Sequence, residues 1–223
     1  MDYNDYLTRV ATTMVQSDTA DPDWLSMLSA SIDYAEKRIY RELDLLDTLV
    51  ADTSLSTTAN NRLLPIGNAT LGRFVKLASV NAVTPTGVQT VDDGTRVPLS
   101  PVSKEWLNAV YPSSLQNGVP AYYALIDSQT LILGPWPDQA YKMELIGNIR
   151  PVPLSSQNSE TILSLYFPDL MFAAGMIHVS GFMRNFGSQA DNPQMAMSWE
   201  TVYEKLKEGA SIEEAKKALG AAA

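Results

Sequence analysis

Between Leu170 and Met183 the chain carries no charged residue, and in helical projection both of its sides are apolar. Pro168 and Asp169 provide a start signal, and the helix they open reads through Phe186. One side presents Phe172, Gly175, Met176, Val179, Phe182, Met183 and Phe186; the other presents Met171, Ala174, Ile177 and Gly181. A helix that is apolar all round has to be covered on every side. The segment is too short to cross a bilayer, so its cover comes from other helices of the chain or from another subunit. A helical bundle is therefore required.

The partner helices lie at both ends of the chain. Residues 1–16 place Tyr3, Tyr6, Leu7, Val10 and Met14 at helical spacing. Asp21 as N-cap and Pro22 at the first helical position open a second helix, predicted to end near Asp47. Leu25, Leu28, Ile32, Ala35, Ile39 and Leu43 form its apolar stripe, while Asp33, Glu36, Lys37, Arg41 and Glu42 mark its wet side. After the apolar helix, Asn192-Pro193 opens a last helix through Leu206, followed by an Ala-rich amphipathic tail, Glu208 to Ala223, expected to be an arm docked on a partner.

Between these ends the pattern turns to strands and turns. Leu63–Ile66, Phe74–Val80, Val88–Val91, Tyr122–Ile126, Thr130–Leu133 and Tyr141–Ile149 are predicted strands, separated by turn signals at Asp92-Asp93-Gly94, Asn117-Gly118 and Asp127-Ser128-Gln129. Ser103 is positioned to cap a short helix, Lys104 to Val110. The fold class read from this order is α+β: residues 1–52 and 156–223 form a helical bundle with a C-terminal arm, and residues 53–155 form an inserted β-rich domain.

Composition narrows the function. With 223 residues and a net charge of −9, the chain is poorly suited to hold nucleic acid by phosphate neutralisation. It has no cysteine, which removes disulfides, thiolate nucleophiles and thiolate metal sites and fits a reducing cytosol. The polar, acidic start MDYNDYLTRV shows no signal or transit pattern.

Catalytic chemistry is hard to assemble. The one histidine, His178, has Ala174, Gly175, Gly181 and Phe182 three and four residues away and no carboxylate on its face. No Gly-x-Ser-x-Gly elbow, phosphate loop or dinucleotide fingerprint occurs. Asp92-Asp93-Gly94, Asp21-Pro22-Asp23 and Glu213-Glu214 lack the alternating spacing of a calcium loop, so no metal, cofactor or catalytic residue is expected. Tyr122, Tyr123 and Trp136 read as packing of the β insert; a stacking platform for sugars, with Asp127 or Asp138 as acid, is the enzymatic alternative. Lys37, Arg38 and Arg41 form the densest basic cluster and share one helix edge.

From Pro98 onward the order of punctuation is familiar. Pro98-Leu99-Ser100 precedes a short helix ending at Tyr111-Pro112; Gly118-Val119-Pro120-Ala121-Tyr122-Tyr123-Ala124 leads to Leu131-Ile132-Leu133 and Gly134-Pro135-Trp136-Pro137-Asp138. Then come Arg150-Pro151-Val152-Pro153-Leu154-Ser155 and Tyr166-Phe167-Pro168-Asp169-Leu170. Together with Tyr34, Arg38 and Ile39 in the second helix, this resembles the head-to-tail adaptor proteins of tailed bacteriophages, particularly short-tailed ones, most strongly over residues 98–185. The resemblance implies a structural virion protein of the head–tail neck, assembled in the host cytoplasm: a homo-oligomeric ring, usually a dodecamer, attached below the portal protein. Such a ring continues the channel for passing DNA, offers a surface to tail nozzle or fibres, and touches no membrane. Another neck or tail component, a stopper or tail-tube protein, is the nearest alternative. Under this reading Lys37, Arg38, Arg41, Leu206, Ile212, Ala215 and Leu219 are expected to contact the portal or a neighbour. Phe172, Met176, Phe182, Met183 and Phe186 are expected to pack the bundle or the ring, and deletion of residues 207–223 is expected to abolish attachment without unfolding the monomer.

Overall fold

The computed structural model describes residues 1–16, 18–67, 72–183 and 193–221, with the backbone alone described at 182–183, 193–196 and 221. The chain divides into two compact units: a helical unit, Met1–Asp47 with Val152–Ala223, and a β unit, Thr48–Pro151. The class is α+β, with helices at both ends of the chain and a β-rich middle.

In the helical unit, α1 (Tyr3–Met14) starts with a capping box in which Asp2 and Asp5 each accept the other's backbone N–H. Its start is tied down by Tyr3 N–H donating to the Ser159 carbonyl at 2.9 Å. Helix α2 (Pro22–Glu42) begins on the Asp21 cap with Pro22 at its first position, and stops at Leu43 rather than near Asp47. Trp24, Met27, Leu28, Ile32, Ala35 and Ile39 form its buried face. Leu25, assigned to that stripe from sequence, is exposed, and Glu36, assigned to the wet side, is buried. Glu36 falls between Ile32 and Ile39 in helical phase, so position outweighed residue type.

In the second half of the unit, α4 (Ile162–Tyr166) is capped by Thr161 and leads into α5 (Pro168–Met183). Helix α5 is the centre of the core. Met171, Ala174, Met176 and Val179 are inaccessible or nearly so, and they cluster with Tyr6 and Val10 of α1 and the buried face of α2. Its cover is intramolecular: α1, α2 and α6 (Pro193–Ala221) all pack on it. The last helix is one continuous element, not a helix to Leu206 followed by a separate arm. Tyr203, Ala210 and Glu214 are buried along it, at spacings of seven and four residues. The predicted arm is thus part of the bundle, and removing residues 207–223 would strip core positions from it.

In the β unit, two four-stranded sheets carry the core. The first has the order β1 (Leu49–Asp52), β10 (Lys142–Arg150), β3 (Arg73–Thr84), β4 (Thr95–Pro98), all antiparallel. Leu49–Asp52 therefore belongs to this sheet and not to the bundle. The second has the order β2 (Leu63–Pro65), β8 (Thr130–Gly134), β7 (Tyr122–Asp127), β5 (Ser100–Pro101). The β7–β8 hairpin turns at Ser128-Gln129, and β5 joins β7 in parallel. Inner residues of both sheets, among them Phe74, Val80, Leu131, Leu133, Met143 and Leu145, form one core. Helix α3 (Lys104–Val110), capped by Ser103 Oγ at 3.1 Å, covers a smaller cluster of Leu107, Ala124 and Ile132. Two readings are corrected. Asn117-Gly118 is not a hairpin turn but the two-residue strand β6, paired in parallel with β9 (Trp136–Pro137). Val88–Val91 is not a strand; Val91–Asp93 forms a 3-10 turn closed by reciprocal Thr90–Asp93 bonds.

Candidate assembly surfaces

The basic cluster on α2 separates into residues with different roles. Lys37 is exposed and pairs with Asp33 at 2.7 Å, one turn away on its own helix. Arg41 is exposed and donates from Nε to the Lys37 carbonyl. Arg38 is not a surface residue: its side chain is only 12% exposed. Its guanidinium forks onto both carboxylate oxygens of Glu200 on α6, donates to Glu42 at 2.9 Å and to the Tyr34 hydroxyl at 3.2 Å, and lies 4.1 Å from the centre of the Tyr203 ring. Tyr203 Oη and Lys207 Nζ both reach the other oxygen of Glu42, at 2.9 and 3.0 Å. This network fastens α6 to α2. The Arg38 fork holds the Glu200 carboxyl below the usual carboxylate range.

A second lock sits lower on α6. Buried Glu214 accepts the Leu46 backbone N–H at 2.8 Å and the Lys217 ammonium at 2.7 Å, so the chain leaving α2 is held by the last turns of α6. A third is Glu36, which accepts the Leu154 N–H at 3.1 Å from inside the core. Burial pushes its carboxyl up to about 7, against its bonds to Leu154 and Thr161. Sequence reading missed Glu36, Glu200 and Glu214; the phase of each on its helix was the available signal.

The remaining sequence candidates lie as follows. Phe172 packs edge-on to Trp199 and Tyr6 in the bundle core, and Met176 is fully buried beside them. The side chains of Phe182 and Met183 and the whole of Phe186 lie outside the described residues. Leu206 is half-buried against the core. Ile212 and Leu219 are 52% and 74% exposed, and Ala215 is exposed between them. Spaced by three and four residues, these three share the face of α6 turned away from Ala210 and Glu214. His178 is half-buried, tilted against the Tyr34 ring at 5.4 Å, and its Nδ1 has no partner among the described residues.

Among the described residues there is no metal-binding cluster of His, Cys, Asp or Glu, and no helix is long and apolar enough to cross a membrane. In the β unit, Asp138 accepts the Tyr141 hydroxyl at 2.6 Å and Asp127 caps the turn at Gln129, so both carboxylates serve local structure. Tyr122 packs edge-on to Trp106, and the Trp136 indole donates to the Tyr111 carbonyl beneath the Arg62 guanidinium. An apolar cleft of this unit, about 490 Å³ between Phe74, Leu77, Tyr123 and Leu125, has Lys76 as the one charged residue among the described residues that line it.

A family model described as SU10 adaptor protein matches residues 1–220, almost the whole chain. The chain belongs to the SU10 adaptor protein family. No curated protein matches it. Membership makes it a structural adaptor of a bacteriophage, associated with portal and tail components of the virion neck.

Proposed function

We propose that the chain is a head-to-tail adaptor of a short-tailed phage. It forms a ring below the portal, with about twelve copies, continues the DNA channel and gives the tail nozzle or fibres their attachment surface. The family match over residues 1–220 carries this reading. Two features of the chain support it. Its net charge of −9 suits a conduit through which DNA slides without sticking. The outer face of α6 leaves Ile212, Ala215 and Leu219 exposed, an apolar stripe that no described residue of the chain buries. Lys37, Arg41 and that stripe are the contacts offered to the portal or a neighbour; Arg38 acts behind them by fixing α6. The test is negative-stain imaging of complexes captured on a tagged copy late in infection. Rings of about twelvefold symmetry beneath a portal are the expected result. Lone particles, or particles without portal and tail partners, would refute the assignment.

A further inference from the structure

The helical unit holds a second unfilled surface, on the side of α1 and α2. A groove of about 710 Å³ runs between these helices, lined by Leu7, Thr8, Ala11, Thr12, Trp24 and Leu25 among others, and none of the described residues lining it is charged. Val15, at its end, is 87% exposed. Trp24 is buried in its wall, and the indole Nε1–H has no hydrogen-bond acceptor among the described residues. Asp18, Asp21 and Asp23 flank the groove in the chain and form no ion pair among the described residues.

The outer face of α6 has the opposite character. Ile212, Ala215 and Leu219 project as a ridge of helical width, and Lys205 and Lys216 lie on the same exposed face with no ion pair among the described residues. The other two lysines of this stretch, Lys207 and Lys217, are already engaged by Glu42, Glu204 and Glu214. Ridge and groove are thus matched in two respects: an apolar helix edge against an inter-helix channel with no charged lining among the described residues, and lysines without ion pairs against aspartates without ion pairs.

We propose that the α6 ridge of one copy seats in the α1–α2 groove of the next. The two surfaces are different parts of the same chain, so the contact is heterologous, and repeated contacts of that kind generate a closed ring or an open filament. The proposal rests on the adaptor reading for its closure into a ring, but the contact itself is testable separately.

The chain has no cysteine, so introduced pairs report without background. Thr12 in the groove and Ala215 on the ridge are both exposed; Thr13 is exposed on α1 but does not line the groove. Full-length T12C/A215C is oxidised mildly, both free at high concentration and in complexes captured late in infection, beside T13C/A215C and each single variant. The expected result is a ladder of covalent dimers, trimers and higher species for T12C/A215C alone. Adding Leu219→Asp, a change at an exposed site, should reduce that ladder at least tenfold while the thermal midpoint stays within about 2 °C of the parent. Rings without the ladder, or an equal ladder from T13C/A215C, overturn the ridge-and-groove contact and leave the adaptor reading standing. A ladder without rings or portal upholds the contact and refutes that reading. Monomers in every preparation refute both.

Discussion

Replacing Arg38 with methionine tests the claim that α6 is fastened to α2 by one guanidinium. Methionine keeps most of the apolar stem, so the loss is that of the charged fork. Hydrogen bonds to charged groups contribute about 1.5–3 kcal/mol each, and breaking a buried ion pair from one side costs about 3–5 kcal/mol. The partners moderate this: Glu200 and Glu204 are 42% and 49% exposed and regain water when the arginine is gone. Glu42, less exposed at 31%, keeps Tyr203 and Lys207 as donors. The net cost is therefore about 2–3 kcal/mol, a drop of about 8–12 °C in the midpoint of a unit this size. Thermal unfolding followed by far-ultraviolet circular dichroism is the assay, because all helices except α3 lie in the helical unit. Lys37→Met is the internal reference; its ion pair has both partners 54% exposed and should contribute under about 0.5 kcal/mol. Arg38→Lys, which keeps the charge but not the bidentate geometry, should fall between the two. If Arg38→Met shifts the midpoint no more than Lys37→Met does, the network does not hold α6, and the docked arm needs another explanation.

The other predictions concern the two cores. Glu36 takes up its proton in the folded state near pH 7 but, with an ordinary value of 4.5, has already lost it in the unfolded chain; the folded state thus binds more protons between these values, and stability falls as pH rises through that window. The loss should approach about 3 kcal/mol above pH 7, and Glu36→Gln should flatten the profile measured by urea titration from about pH 5 to pH 8. A Cβ on Gly175 would collide with the buried Tyr6 hydroxyl, so Gly175→Ala should destabilise by about 1–3 kcal/mol despite alanine's better helix propensity. Tyr6→Phe should relieve part of that cost, giving a coupling of at least about 0.5 kcal/mol in a double-mutant cycle. In the β unit, Arg96 and Asn81 both bond Glu144, the Arg96 contact holding its carboxyl below the ordinary range. Glu144→Gln should cost about 1–2 kcal/mol at neutral pH in urea unfolding, with the difference from wild type vanishing as acid protonates the wild-type group.

The bundle was legible where burial and apolarity coincide. The two-sided apolar run of α5, the Asp21-Pro22 start of α2 and the Ser103 cap of α3 are local signals, and each element forms where its residues ask for it. The β7–β8 hairpin was equally plain from alternation around Asp127-Ser128-Gln129. What escaped is the contribution of polar residues at buried helical phases. Ala210 and Glu214 continue the inward face begun by Tyr203, but one is too small and the other too polar to register as a core position. The C-terminal residues therefore read as an arm docked on a partner. Arg38 read as a surface charge because its acceptor, Glu200, lies 162 residues along the chain. Nothing local to Arg38 marks which of many carboxylates it meets.

The fate of α5 bears directly on how copies of this chain can join. A helix apolar on both sides invited two readings, a buried centre or a subunit interface. Within one chain, α1, α2 and α6 already cover it: Met171, Ala174, Met176 and Val179 retain essentially no accessible surface. Between Met171 and Val179, contact between copies through those buried residues would require the bundle to open, at the cost of the Arg38 network and of the Tyr6–Ser31 bond beneath it. Opening a packed core forfeits the same apolar burial that a new interface would return. A neighbour is therefore better served by surfaces the fold leaves idle. The outer stripe of α6 and the α1–α2 groove are of this kind, and they lie on elements that the Arg38 and Glu214 locks hold in fixed relation. Rigidity of this sort cuts the entropy lost on association. By the same reasoning, a substitution at Arg38, whose side chain is only 12% exposed, should weaken assembly through α6, and Arg38→Lys should restore part of it.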